Sequence, residues 1–119
     1  MSSTGASSEL RFPKLNSENY REWAVNMKAT LKSKMLWRIV DGSEPEPAKP
    51  EGMLPSDLTA AKAWKATQKE YTDWLLQDDA AQGTMLITAD KSAQTHVVDC
   101  KNVKEMWDMW KKVYVTHQQ

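Results

Sequence analysis

A chain of 119 residues with 40% hydrophobic content suits a single domain that buries one core without disulfide or metal staples. Its 16 basic and 16 acidic side chains cancel, which argues against a dedicated nucleic-acid module, since phosphate binding ordinarily shows as a basic excess. Cys100 is the single cysteine, which excludes an intrachain disulfide framework and a cysteine-built zinc site and fits a reducing, cytoplasmic compartment.

Residues 1–11 open the chain with small polar side chains (Ser2, Ser3, Thr4, Gly5, Ser7, Ser8) and are expected to form a disordered tail. They lack the apolar core of a signal peptide and the glycine that myristoylation needs. No apolar run approaches the ~20 residues of a membrane span, so no membrane partner is expected. Phe12-Pro13 reads as extended, because a residue before proline is pushed out of the helical region. Asn19 followed by Glu22 is an Asn version of the capping box, and Tyr20, Trp23, Met27 and Leu31 then recur at intervals of three and four. This predicts a helix over 20–33 with one apolar stripe.

Leu36, Trp37 and Val40 have helical spacing and favour a short second helix ended by Asp41-Gly42. The loop that follows, Ser43 to Pro55, contains Pro45, Pro47, Pro50 and Pro55, which forbid regular structure. It is acidic and is expected to be a solvated connector, although loops of this length are often functional or mobile. Ser56 or Asp57 would cap a helix of about 30 residues, its stripe running through Trp64, Thr67, Tyr71, Trp74, Leu75, Ala81, Met85 and Leu86. Gln77-Asp78-Asp79 and Gly83 are weak points where it could break. Asp90 would cap a short helix through about Val98. Asn102 and Glu105 repeat the capping box ahead of a last helix over 103–117, with Val103, Met106, Trp107, Trp110, Val113, Tyr114 and His117 on one stripe. Lys104, Asp108 and Lys112 lie on another face at i,i+4 spacing. No strand is convincing, so the class is all-α, a compact bundle of about five helices with a proline-rich loop after the second.

The six tryptophans are expected mostly in the core, because one indole buries about 150–250 Å². The expected core residues are Tyr20, Trp23, Met27, Leu31, Trp37, Trp74, Trp107, Trp110 and Tyr114, and the expected helix caps are Asn19, Glu22, Asn102 and Glu105. No catalytic, cofactor-binding or metal-binding residues are expected, and no small-molecule substrate. His96 and Cys100 are four apart but find no third ligand. The four glycines are isolated and make no phosphate loop. Asp78-Asp79 reads as a solvated pair, because neighbours on a helix point in different directions. Charge is nonetheless uneven: from Lys14 to Arg38 six bases face two acids, and from Ile39 to Asp57 five acids face one base. Arg21, Lys28, Lys32 and Arg38 are therefore the expected contact face, for an acidic surface of another copy or for RNA, against the plainer reading of a solvated face.

The text from Phe12 to Leu31 carries a resemblance. Phe12, Lys14, Leu15, Asn16, Asn19, Tyr20 and Trp23, spaced as F-x-K-L-N-x-x-N-Y-x-x-W, resemble the start of Gag polyproteins of copia-type LTR retrotransposons. Leu31 to Trp37 is similar to the family's LKSKGLW segment, with Met35 where glycine is common, and Val40-Asp41-Gly42 with the proline-rich loop is similar too. Trp74 with residues 80–87 resembles the middle of the family domain, and Asp99 to Asp108 with Tyr114 resembles its later helix, so the likeness spans about residues 10–116. It implies a capsid N-terminal-lobe-like helical domain over 12–117 that self-associates into virus-like particles around the element's RNA, with no enzymatic activity. The implied partners are other copies or a longer Gag, with weak RNA contact as a lesser one. Family members continue into a second helical lobe and a zinc knuckle, and neither is found in these 119 residues. An excised lobe, a truncated element and a Gag-derived host gene that binds a protein partner are the three expectations that follow.

Overall fold

The computed structural model describes residues 12–117; the expected tail over 1–11, residues 118–119 and the side chains of Thr116 and His117 lie outside that description. The protein is all-α, with five helices among the described residues: α1 (Tyr20–Ser33), α2 (Trp37–Asp41), α3 (Leu58–Ile87), α4 (Lys91–Thr95) and α5 (Val103–His117). The one strand-like pairing among the described residues is a single parallel bridge between Leu15 and Ala89.

Helix α1 buries its Tyr20, Trp23, Met27 and Leu31 stripe. Its start differs from the expected capping box. Asn19 stands at the N-cap position but its side chain makes no cap bond. Its Oδ1 accepts from the Asn16 amide (2.8 Å) and its Nδ2 donates to the Lys14 carbonyl (2.8 Å). The amide is spent on closing the turn that delivers Leu15 to Ala89, and Glu22 stays exposed on the outer face.

The end of α1 is a Schellman turn. The Leu36 amide donates to the Leu31 carbonyl (2.8 Å) and the Met35 amide to the Lys32 carbonyl (3.0 Å). The turn requires a left-handed residue, and here Met35 supplies it at φ 61. Helix α2 follows at once, buries Ile39 and Val40, and stops at Gly42. Gly42 has φ 88, a left-handed conformation that calls for glycine; a Cβ there would meet only the flexible end of the Lys104 side chain, which can move aside.

Helix α3 runs unbroken through Gly83, and the Asp57 side chain caps it by accepting from the Ala60 amide. Its buried residues, Trp74, Asp78, Ala81 and Met85, all lie in its second half, and no residue from 58 to 73 is buried. Asp78 corrects the expectation of a solvated pair. It is 4% exposed while Asp79 is exposed. Its Oδ1 accepts from the Val103 amide (2.8 Å) and its Oδ2 from Gln82 Nε2 (2.6 Å). The carboxylate thus sits at the positive N-terminal end of α5, supplied by a different helix.

Helix α4 is shorter than expected, because residues 96–99 form turns. Asp90 caps it by accepting from the Ala93 amide (2.8 Å). At α5 the box is shifted by one residue. Asn102 Oδ1 accepts from the Glu105 amide (2.9 Å), whereas Glu105 Oε1 accepts from Lys101 rather than from Asn102.

The core forms where the α1 stripe meets the α5 stripe. Tyr20 stacks on Tyr114 at 6.0 Å, and Trp23 meets Trp110 edge-on at 5.4 Å. Trp23, Met27, Leu31 and Trp110 are almost wholly buried, and Trp74 is buried at the edge. Trp37 and Trp107, expected in the core, pack against it on its flank: both are half-buried, edge to face at 5.0 Å. A buried indole needs an acceptor for its N–H. Trp23 donates to the Thr88 carbonyl (3.0 Å) and Trp110 to the Ala93 carbonyl (2.8 Å). The first bond ties α1 to the short segment between α3 and α4, and the second ties α5 to α4 itself.

Candidate interaction surface

The four expected contact residues are all exposed, and they divide into two groups. Lys28 and Lys32 lie a turn apart on the outer face of α1, and Arg38 joins them from α2. Lys28 Nζ stands 5.1 Å from the centre of the Trp37 ring, a cation–π contact that also shields the half-buried indole. Lys32, Met35, Trp37, Arg38, Glu44 and Gln77 line an open cleft of about 450 Å³. Arg21 belongs instead to a shallow recess at the start of α1 with Glu18, Asn19 and Glu22. Asp41, at the end of α2, stays ionised: the Ser43 hydroxyl and amide hydrogen bonds hold its carboxyl below the usual range, and Arg38 and Lys28 add to the effect.

A second cleft, of about 390 Å³, carries the opposite charge. His96, Asp99, Cys100, Glu105, Asp108, Met109 and Lys112 line it, so three carboxylates face one lysine. His96 and Cys100 do share this cleft, but the chemistry is unfavourable for a ligand or nucleophile. Burial pushes the Cys100 thiol up, with Glu105 and Asp99 pushing the same way, so the thiolate is scarce. The His96 ring packs edge-on against Tyr114 at 5.7 Å. Among the described residues no group of three or more His, Cys, Asp or Glu side chains is arranged to hold a metal ion. No helix among them is long and apolar enough to cross a membrane.

The proline-rich loop falls where the sequence placed it, but it is anchored to the bundle rather than a free, solvated connector. It lies along α3 as a strap. Trp74 Nε1 donates to the Glu44 carbonyl (2.8 Å), and Trp64 Nε1 donates to the Glu51 carbonyl (3.1 Å). Between them Lys49 Nζ sits 5.9 Å from the Tyr71 ring centre. The strap therefore runs antiparallel to α3, from Trp74 back toward Trp64. The signal available in the sequence was the stripe Trp64, Tyr71 and Trp74 itself, which has more aromatic surface than the rest of the bundle covers.

These surfaces are open and charged, and they suit docking of another macromolecule better than enclosure of a small one. A family model described as gag-polypeptide of LTR copia-type matches residues 27–119. It begins within α1, so the stretch from Phe12 to Asn26 lies outside the match. No curated protein and no solved structure matches the chain.

Proposed function

Because the chain belongs to the copia-type LTR Gag family, we propose that it is a structural self-assembly domain, the N-terminal capsid lobe of such a Gag, contributing to virus-like particles. The observation that carries this reading is the family match over residues 27–119. The surfaces support it. A basic cleft beside Trp37 and an acidic cleft beside Cys100 occur on one chain, so one copy can meet the next through unlike patches. Contacts between unlike patches are head-to-tail, and they close as rings or shells when the rotation allows. The proposed role involves no catalysis.

Light scattering over a concentration series, followed by electron microscopy, tests the proposal. The expected outcome is a mass that rises with protein concentration and falls with added salt, because the patches attract through exposed charge. A strict monomer at high concentration overturns it, and a pull-down that then finds one host protein would select a Gag-derived binding role. The Lys28–Trp37 pair also favours a second reading, weak RNA contact, since cations beside an aromatic ring suit single strands. Filter binding at two salt concentrations decides it: no retention, or retention without salt dependence, removes RNA.

A further inference from the structure

Trp64 and Tyr71 on the first half of α3, with Trp74 just beyond, form an aromatic face, and no residue from 58 to 73 is buried. What covers it is the strap, and the attachment has a particular chemistry. Both indole donors reach backbone carbonyls, those of Glu44 and Glu51, while the Glu44, Glu46 and Glu51 side chains stay exposed. Pro47, Pro50 and Pro55 are half-buried. Each proline restricts its own backbone and that of the residue before it, so the segment reaches the helix already close to extended. Rings that flank prolines, with indole N–H groups that take main-chain carbonyls, are the chemistry by which grooves recognise proline-rich peptides.

We propose that the Trp64–Tyr71–Trp74 face of α3 is a docking site for an extended proline-rich segment, held in cis by the chain's own strap and open to the same segment of a second copy. The recognition elements are carbonyls and proline rings, and nothing in them distinguishes the chain's own strap from a neighbour's. Any second copy carries an identical occupant, and Gly42 and the Asp57 cap give the strap defined ends about which to swing out. Exchange of a like element between copies is an inexpensive route to association. The cis strap competes at an effective concentration on the order of millimolar, so exchange belongs to the crowded state of an assembly rather than to dilute solution. The choice of a second copy as occupant rests on the self-association reading; the docking chemistry does not.

Two complementary variants of the full chain test this. One replaces residues 43–55 by a Gly/Ser linker of equal length and keeps the face. The other keeps the strap and carries Trp64→Ala with Trp74→Ala. Each is first checked by circular dichroism for helix content, then measured by sedimentation at a concentration where wild type is monomeric. The expected result is that each variant alone sediments as a monomer and the equimolar mixture as a heterodimer. A mixture that sediments as two unlinked monomers overturns the proposal. If either variant fails to fold, a synthetic peptide of residues 43–57 is titrated, to concentrations above the roughly millimolar level at which the cis strap competes, into wild type and into the Trp64→Phe, Trp74→Phe chain, with amide chemical shifts as readout. Saturable binding at least ten-fold weaker in the double variant supports the site, and binding that is absent or equal in the two overturns it. Wild type that self-associates without complementation would leave self-assembly standing and remove strap exchange; complementation with a wild type that never self-associates would do the reverse.

Discussion

Met35 is an exposed side chain on a left-handed backbone, at φ 61 with 88% of its surface in solvent. An L-residue there carries roughly 1–2 kcal/mol of strain, and glycine carries none but costs more chain entropy on folding. The net expectation for Met35→Gly is a gain of about 0.5–1 kcal/mol, read as a higher urea midpoint with unchanged slope. The resemblance pointed at this position, since glycine is common there in the family, but periodicity did not. Tyr20 offers a titration. Burial, with the Asp108 charge acting the same way, pushes its hydroxyl up to about 12 from the ordinary 10.0. Below pH 10 both folded and unfolded chains keep the proton. Between about 10 and about 12 only the unfolded chain releases it, so stability falls across that window, by about 3 kcal/mol in all. Urea titrations at a series of alkaline pH values should show that fall, and Tyr20→Phe should flatten it. Part of the slope should remain, because burial and then Asp90 raise Tyr114 in the same direction.

At the scale of elements, the helices were legible because their signals are local. The stripes of α1 and α5 and the Asp57 and Asp90 caps involve residues within one or two turns. The cap details that differed are those where a side chain serves another backbone group, as Glu105 does in accepting from Lys101. Asn19 serves the turn before its helix, and the first amide of α5 takes its acceptor from Asp78, 25 residues earlier. Asp78→Ala should leave that buried amide and Gln82 without their carboxylate, at a cost of about 2–3 kcal/mol. Asp78→Asn retains an oxygen acceptor and should cost about half as much. Hydrogen exchange at the first turn of α5 would localise the loss. Equal exchange in wild type and Asp78→Ala would show that the carboxylate does not hold that end.

For the whole molecule, the decisive bonds are long in sequence. Trp23 reaches Thr88 across 65 residues, Trp74 reaches Glu44 across 30, and Trp110 reaches Ala93 across 17. Trp23 both fills the core and joins α1 to the α3–α4 turn, so Trp23→Ala should cost about 3–5 kcal/mol, much of a small domain's stability. Trp37→Ala should cost clearly less, because that ring is only partly buried, and urea unfolding of the two variants side by side checks the order. The sequence by itself determined the helical class, the apolar stripes and the Gag-like text. Helical hydrogen bonds and helical faces are built between residues three and four apart, so a linear reading contains them. Only the tertiary structure decided that Asp78 is buried, that Trp37 and Trp107 stay at the flank and that the proline-rich loop is a strap. Each of those depends on which distant backbone group lies within about 3 Å of a side chain. That distance is set by how the stripes pack, and spacing along the chain does not encode it.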